Sequence, residues 1–272
     1  MNVLVTGAAS GIGYHTAKKF AENGHTVYCL DINSAVKTEN FIPFVADITD
    51  EASLLRVRDA LTEKNAELDF IVNVAGMFFM DSFLEVTEKR LEKIFDVNLL
   101  GAMRVNKTFF PLLKRKGKII IVTSEVAPLD PLPFNGIYNV TKTALDAYSQ
   151  ALRHEAGLLG VKVITVRPGA VKTPLSDGCF SSMREMSEKS EYFGGQAETF
   201  ERIMKRFTGT PLSPDKLGNI IYKAALKKRP KIIYTVHANK GLKLLSVLPK
   251  RTQVAIIRKL LNKKGNKKTV SD

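Results

Sequence analysis

The sequence predicts a doubly wound α/β domain, with helices on both faces of a seven-stranded parallel sheet. Short apolar runs alternate with longer amphipathic segments along most of the 272 residues, the pattern of successive βαβ units. The first apolar run passes directly into a glycine-spaced turn, VLVTGAASGIG, that opens a helical pattern. The length suits one large domain with a substantial core and leaves little for a second.

Taken in order, the strands are expected at residues 2–6, 26–31, 42–45, 70–73, 117–124, 161–167 and 231–236, each a short apolar run of strand length. Helices are expected between them at 11–23, 50–65, 88–114, 135–159 and 214–227, with Gly24 and Gly160 as C-terminal stops. Only residues 32–41 join the second and third strands. That is too short for a crossover helix of ordinary length, so a loop or single turn is expected there. Residues 1–238 are read as the folded unit and 239–272 as a basic amphipathic extension, whose KKGNKK stretch is expected to fray.

Composition narrows the function classes. With 44% hydrophobic and 25% charged residues the chain reads as a soluble globular protein. Its net charge of +14 is localised: residues 1–222 carry 26 Lys plus Arg against 26 Asp plus Glu, and residues 223–272 carry 15 basic residues against Asp272 alone. Cys29 and Cys179 are too few for a disulfide framework, which points to a reducing, cytoplasmic setting. The N-terminus enters a strand pattern without a charged leader, and no apolar run approaches the roughly 18 residues of a membrane span. His15, His25, His154 and His237 are scattered, so no metal site is expected.

The chemistry begins at the glycine turn. Gly7, Gly11 and Gly13 follow a strand and open a helix, permitting a tight bend and close backbone approach to a pyrophosphate, whose charge meets the helix N-terminus. This is the context of a Rossmann-type dinucleotide site. Asp31 ends the second strand, where a carboxylate accepts hydrogen bonds from ribose hydroxyls and repels a 2′-phosphate, favouring NAD over NADP. No basic residue stands at Ser10 or Ile32, although Lys37 remains within reach of the phosphate region. Farther on, Tyr138 and Lys142 lie at i, i+4 in YNVTK, so one helix presents the ammonium beside the phenol and favours its ionised form.

These motifs resemble the short-chain dehydrogenase/reductase family over residues 2–236. The likeness rests on TGAASGIG, Asp47 with Ile48, NVAG at 73–76, Asn98 in FDVNLLG, Ser124 in IIIVTSEVA, YNVTK, and RPGAVKTPL at 167–175. The resemblance implies that Gly7, Ser10, Gly11, Ile12 and Gly13 cradle the cofactor and that Asp47 and Ile48 bind its adenine end. By the same likeness Asn73, Ala75 and Gly76 would line the cleft, and Pro168, Gly169, Val171 and Thr173 would hold the nicotinamide end. Tyr138 would exchange a proton with the substrate oxygen, with Lys142 lowering its pKa and bonding the nicotinamide ribose. Ser124 would polarise that oxygen, and Asn98 would hold a water in a proton relay through Lys142.

Two departures from the family pattern stand out. Val74 replaces an asparagine in the N-N-A-G motif, and Ser124 lies 14 residues before Tyr138, one more than usual. Either an insertion sits in APLDPLPFN, among Pro128, Pro131 and Pro133, or the serine assignment shifts, with Thr123 as the fallback. Glu125 takes the usual spacing but is a poor carbonyl donor at neutral pH.

Apolar and aromatic residues crowd the segments expected around the substrate: Met77, Phe78, Phe79 and Met80, then Leu132 and Phe134, then Met183, Met186, Tyr192, Phe193, Phe200, Met204 and Phe207. Residues 175–212 are expected to form a mobile lid. The leading reading is an NAD(H)-dependent oxidoreductase of hydrophobic alcohols and ketones, such as hydroxysteroids, bile acids or retinoid-like lipids. The alternatives are a 3-oxoacyl-thioester reductase and a non-catalytic dinucleotide sensor.

The family commonly forms dimers and tetramers through two long helices, here within 88–114 and 135–159. In the tail, Val254, Ile257 and Leu261 form a stripe flanked by Ile256 and Leu260, with Arg251, Arg258, Lys259 and Lys263 on the other side. Such a helix either packs on its own subunit or a partner, or lies on an anionic membrane surface. No nucleic-acid-reading motif accompanies the charge.

Overall fold

The structure, a computed structural model, describes residues 1–34, 40–207 and 209–262, without the side chains of Asp177, Cys179, Phe180 and Phe207. Lys37, Lys263 and the KKGNKK stretch therefore lie outside the described residues. The strands are β1 (Asn2–Thr6), β2 (Thr26–Asp31), β3 (Phe41–Val45), β4 (Leu68–Asn73), β5 (Leu113–Val122), β6 (Lys162–Pro168) and β7 (Ile233–Val236). They form one sheet in the order β3-β2-β1-β4-β5-β6-β7, with every pairing parallel. The order reverses between β1 and β4, and the crevice at their carboxyl ends is where such sheets bind ligands.

The helices are α1 (Gly11–Ala21), α2 (Glu51–Glu63), α3 (Glu88–Phe95), α4 (Ala102–Phe109), α5 (Gly136–Leu158), α6 (Pro174–Lys189), α7 (Gly194–Phe207), α8 (Pro214–Leu226), α9 (Lys240–Ser246) and α10 (Lys250–Leu261). Alternation along the strands splits the core into two layers. Leu4, Leu30, Ile71, Ile119, Ile121 and Val163 face α2, α4 and α5. Val3, Val5, Val27, Val72, Ile120 and Ile164 face α1 and α8. Burial on both sides is why these strands read as continuous apolar runs. The two helices α1 and α8 pack so closely that a Cβ on Gly218 would stand 2.8 Å from the backbone of His15.

The structure corrects three expectations. The segment 88–114 is not one helix: α3 passes into a π-helical turn, Asp96–Gly101, then α4, then a 3-10 turn at Phe110–Leu112. Pro111 lacks the N–H that would continue the helix, and β5 already begins at Leu113, opposite Leu68. The proposed lid is largely the helix pair α6 and α7, which bury Met183, Met186, Ala197 and Phe200 in a third apolar cluster. A capping box between Thr173 and Ser176, with Pro174 at the first helical position, starts α6.

The third correction concerns the tail. On α10 the inward stripe runs from Gln253 through Ile256 and Ile257 to Leu261, while Val254 is exposed. The reason is polar: Gln253 Nε2 donates to Asp130 and to the carbonyls of Leu248 and Ser246, which turns that face inward. Ile257 and Leu261 then join Phe200 and Ile203 of α7. Among the described residues no helix is long and apolar enough to cross a membrane, and no group of three or more His, Cys, Asp or Glu is placed to hold a metal ion.

Candidate active site

The glycine turn is fixed by contacts that only glycine allows. Gly7 has φ +69° and donates to the Leu30 carbonyl at 2.8 Å. A Cβ there would meet the Ala75 backbone at 2.9 Å, and one on Gly13 would stand 2.0 Å from the Gly7 carbonyl oxygen. Thr6 Oγ1 accepts from the N–H groups of Val74 and Ala75, both at 3.1 Å, stitching the ends of β1 and β4 together. Ser10 precedes α1 without a side-chain cap bond. The first N–H groups of α1 therefore have no intrahelical partner and border a hollow of about 290 Å³ lined by Gly7, Ser10, Gly11, Ile12 and Gly13. This cradle fits a dinucleotide pyrophosphate.

Asp31, Asp47, Ile48, Ala75 and Gly76 also line that hollow. Asp31 accepts from the N–H groups of Ala9 and Asn33, each at 3.0 Å, which sets its carboxylate at the rim. Burial pushes the Asp47 carboxyl up, but bonds from the Thr49 N–H and hydroxyl, together with Lys93 and Arg104, bring it below its ordinary value. Asn73 is placed differently from the expectation. It lies beneath the cleft, donates to Asn106 at 2.8 Å, and lines neither the hollow nor the adjoining cleft. Asn106 in turn donates to the Tyr148 hydroxyl, so Asn73 belongs to a polar chain joining β4, α4 and α5.

The adjoining cleft, about 200 Å³, brings together Ser124, Tyr138, Lys142, Pro168, Gly169, Val171 and Thr173. Tyr138 and Lys142 sit one turn apart on α5, and Phe78 covers the phenol with ring centres 4.3 Å apart. The Lys142 ammonium is 5.7 Å from the Tyr138 ring centre and donates to the Val122 carbonyl at 3.4 Å. Burial lowers the Lys142 pKa to about 8. Asn98 stands in the π-helical turn, a rare departure from the α-helix that is frequent at functional sites. Its Oδ1 accepts from the Met77 N–H at 2.7 Å, and its Nδ2 donates to the Met77 carbonyl at 2.9 Å and to Thr141 at 3.0 Å.

The loop between Ser124 and Tyr138 ends in a tight bend. Phe134 has φ +63°, and the Asn135 N–H donates to the Pro133 carbonyl at 2.7 Å, making a tight three-residue turn. Thr123 is committed elsewhere: its hydroxyl donates to Asp146 at 3.1 Å, and Asp146 is paired with Arg167. Ser124 Oγ accepts from the Val126 N–H at 3.4 Å and borders the cleft. Glu125 also lines the cleft. Burial raises its carboxyl pKa while the Asn239 N–H, donating to it, and the nearby His237 pull the other way.

Glu125, Asn239 and Leu242 were not anticipated as cleft residues. Glu125 is adjacent to Ser124 in sequence, a signal that was available. Nothing in the tail's basic composition indicates that Asn239 and Leu242 return to the cleft.

The family model for short chain dehydrogenases matches residues 1–183. The chain belongs to this family. It is an oxidoreductase that acts on CH–OH groups with a nicotinamide dinucleotide. The dehydrogenase is 27% identical over 230 residues to a 3-ketodihydrosphingosine reductase of Bacteroides thetaiotaomicron, covering 84% of each chain. It is 32% identical over 201 residues to an NADPH-dependent 1-acyldihydroxyacetone phosphate reductase of Schizosaccharomyces pombe, covering 70% of this chain and 67% of that one. The 3-ketoacyl-(acyl-carrier-protein) reductase of Brucella melitensis, solved with NADH, shares the fold with a TM-score of 0.70 at 22% identity, over 88% of this chain and 97% of that one.

Proposed function

We propose that the dehydrogenase interconverts a hydrophobic secondary alcohol and its ketone, using NAD(H). The observation that carries this reading is the convergence of Tyr138, Lys142 and Ser124 on a cleft whose other walls include Met77, Phe78, Met80, Leu132 and Met204. When bound, the nicotinamide supplies or accepts the hydride. Tyr138 gives its phenolic proton to the carbonyl oxygen in reduction and takes a proton from the hydroxyl in oxidation. Lys142, held against the Val122 carbonyl, stabilises the phenolate left behind. Ser124 donates a hydrogen bond to the reacting oxygen and fixes its orientation. Asn98 positions the 76–77 backbone beside Lys142, since a Cβ on Gly76 would lie 3.2 Å from Asn98 Oδ1 and 3.5 Å from Lys142 Nζ.

The choice of NAD rests on Asp31, whose carboxylate meets ribose hydroxyls and repels a 2′-phosphate. For the substrate, hydroxysteroids, bile acids, retinoid-like lipids and aliphatic ketones all suit an apolar cleft. The names of the two relatives quoted above both describe ketone reduction. A screen of these classes by nicotinamide absorbance, with NADH and NADPH, tests the reading; turnover confined to short polar alcohols would overturn it.

Two association readings accompany it. Outward residues Leu100, in the π-helical turn before α4, and Val140 of α5 suit pairing of copies along this face. Leu244, Val247, Val254 and Leu260 are exposed on the α9–α10 edge, next to Lys243, Lys250, Arg251 and Arg258. That combination suits contact with an anionic membrane surface.

A further inference from the structure

The cleft beside Tyr138 adjoins a second hollow across its apolar wall. Leu132, Met204, Asn239 and Leu242 border both the cleft and a second cavity of about 240 Å³. This chamber lies between α7, α9 and α10, with Phe200 and Ile203, Leu245, and Ile256 and Ile257 as its principal walls. Asn239 contributes the single polar side chain of the lining, and its Oδ1 caps α9 by accepting from the N–H groups of Gly241 and Leu242. The chamber therefore offers dispersion contact and apolar burial, with a side-chain carbonyl already engaged at its mouth.

We infer that this chamber binds the alkyl chain of an aliphatic ketone or alcohol whose oxygen lies between Ser124 and Tyr138. The inference rests on the proposed reaction and names the substrate class for it. Two hollows of similar size that share Leu132, Met204 and Leu242 as lining suit a flexible chain passing between those side chains. A rigid fused-ring plate needs one continuous space instead. The walls agree: among the described residues branched aliphatic side chains dominate, with Phe200 as the one aromatic group. The C-terminal extension, which carries no part of the proton-transfer machinery, thus supplies much of the chamber's lining. Glu125 ties the two parts together, because the backbone N–H of Asn239 donates to its carboxylate next to Ser124.

The test uses straight-chain methyl ketones of increasing length, below their micellar concentrations, with the full-length enzyme and NADH. The measured quantities are kcat/KM and, separately, calorimetric affinity. Each methylene buried in the chamber should raise kcat/KM about fourfold until the space is filled, after which the series levels off. Leu245→Trp fills the chamber and should bring the plateau to shorter chains, lowering kcat/KM far more for long ketones than for the shortest. The wild-type chain has no tryptophan, so blue-shifted emission from the introduced indole verifies a folded, buried probe. Ile203→Phe repeats the test at a second wall.

A length series that is flat, or that L245W and I203F leave unchanged, overturns the chamber assignment. If no ketone is turned over but calorimetric affinity still rises with chain length and falls in both variants, the chamber stands and the proposed reaction fails.

Discussion

Gln253 on α10 donates through Nε2 to Asp130 Oδ2 at 2.8 Å, which anchors the C-terminal helix to the loop between Ser124 and Tyr138. The amide is 5% exposed, and the same nitrogen donates to the Leu248 carbonyl at 2.8 Å. Lys250 pairs with Asp130 from one turn earlier. The extension is thus bonded to the loop that links Ser124 to Tyr138. Gln253→Leu leaves the Leu248 carbonyl and Asp130 without this donor and should cost about 1–3 kcal/mol in urea unfolding. It should also lower kcat/KM while sparing NADH affinity. Unchanged stability and turnover would show that the anchor has no energetic role.

Lys142 predicts a pH dependence of stability. The unfolded chain keeps this ammonium protonated up to the ordinary value of 10.5, whereas burial in the fold lowers the pKa to about 8. Between those values the unfolded state binds more protons, so the contribution of Lys142 to stability rises with pH across this window. Below it, the buried charge destabilises the fold. Lys142→Met should therefore be more stable than wild type at neutral pH by about 2–4 kcal/mol, as an upper bound, with the gap closing toward pH 10.5. Denaturant melts of both proteins across this range give the comparison. A gap that does not narrow with rising pH contradicts the assigned cause.

Asp31 predicts the cofactor preference. Asp31→Ala removes the carboxylate proposed to meet the ribose and should shift the NADPH-to-NADH ratio of kcat/KM toward NADPH by on the order of 100-fold. Because Asp31 also accepts from Ala9 and Asn33, Asp31→Asn keeps the side chain's size and separates charge from loop positioning. Both variants should gain relative activity with NADPH. A wild-type enzyme that already prefers NADPH would contradict the role given to this carboxylate.

The exposed α9–α10 edge predicts salt-dependent lipid binding. The full-length protein should float with vesicles containing anionic phosphatidylserine, and Val247→Glu with Val254→Glu should abolish flotation without changing the melting temperature by more than a few degrees. Loss at high ionic strength is expected for the basic component. Equal behaviour of wild type and variant, or binding to neutral vesicles alone, would contradict the membrane reading.

Much of the architecture is legible because local pattern and tertiary environment coincide. Val3, Leu4 and Val5 are apolar in succession because both sheet faces are covered, and Tyr138 and Lys142 share the cleft because α5 is regular there. The helix α6 escaped notice because glycine and serines dilute its helical period, whereas α7 carries Phe200, Ile203, Met204 and Phe207 at a helical spacing that a reading as loop passes over; the burial of both depends on Phe134 and Leu261 from distant parts of the chain. Gln253 misled the stripe on α10 for a related reason: a polar residue faces inward to meet Asp130, a partner 123 positions away. Within the site, the glycine turn and the Tyr138–Lys142 pair were readable from spacing. Asn73 was carried over by family likeness and turns instead toward Asn106. Nothing local to residues 239–242 encodes their return to the cleft.

The central claim is that Tyr138 transfers the proton, and Tyr138→Phe tests it most directly. The measurement pairs steady-state turnover of the best ketone with NADH binding by fluorescence on the same preparation. The account predicts a loss in kcat on the order of 100- to 10,000-fold with NADH affinity retained. A Y138F enzyme that binds NADH and keeps most of its turnover would contradict it.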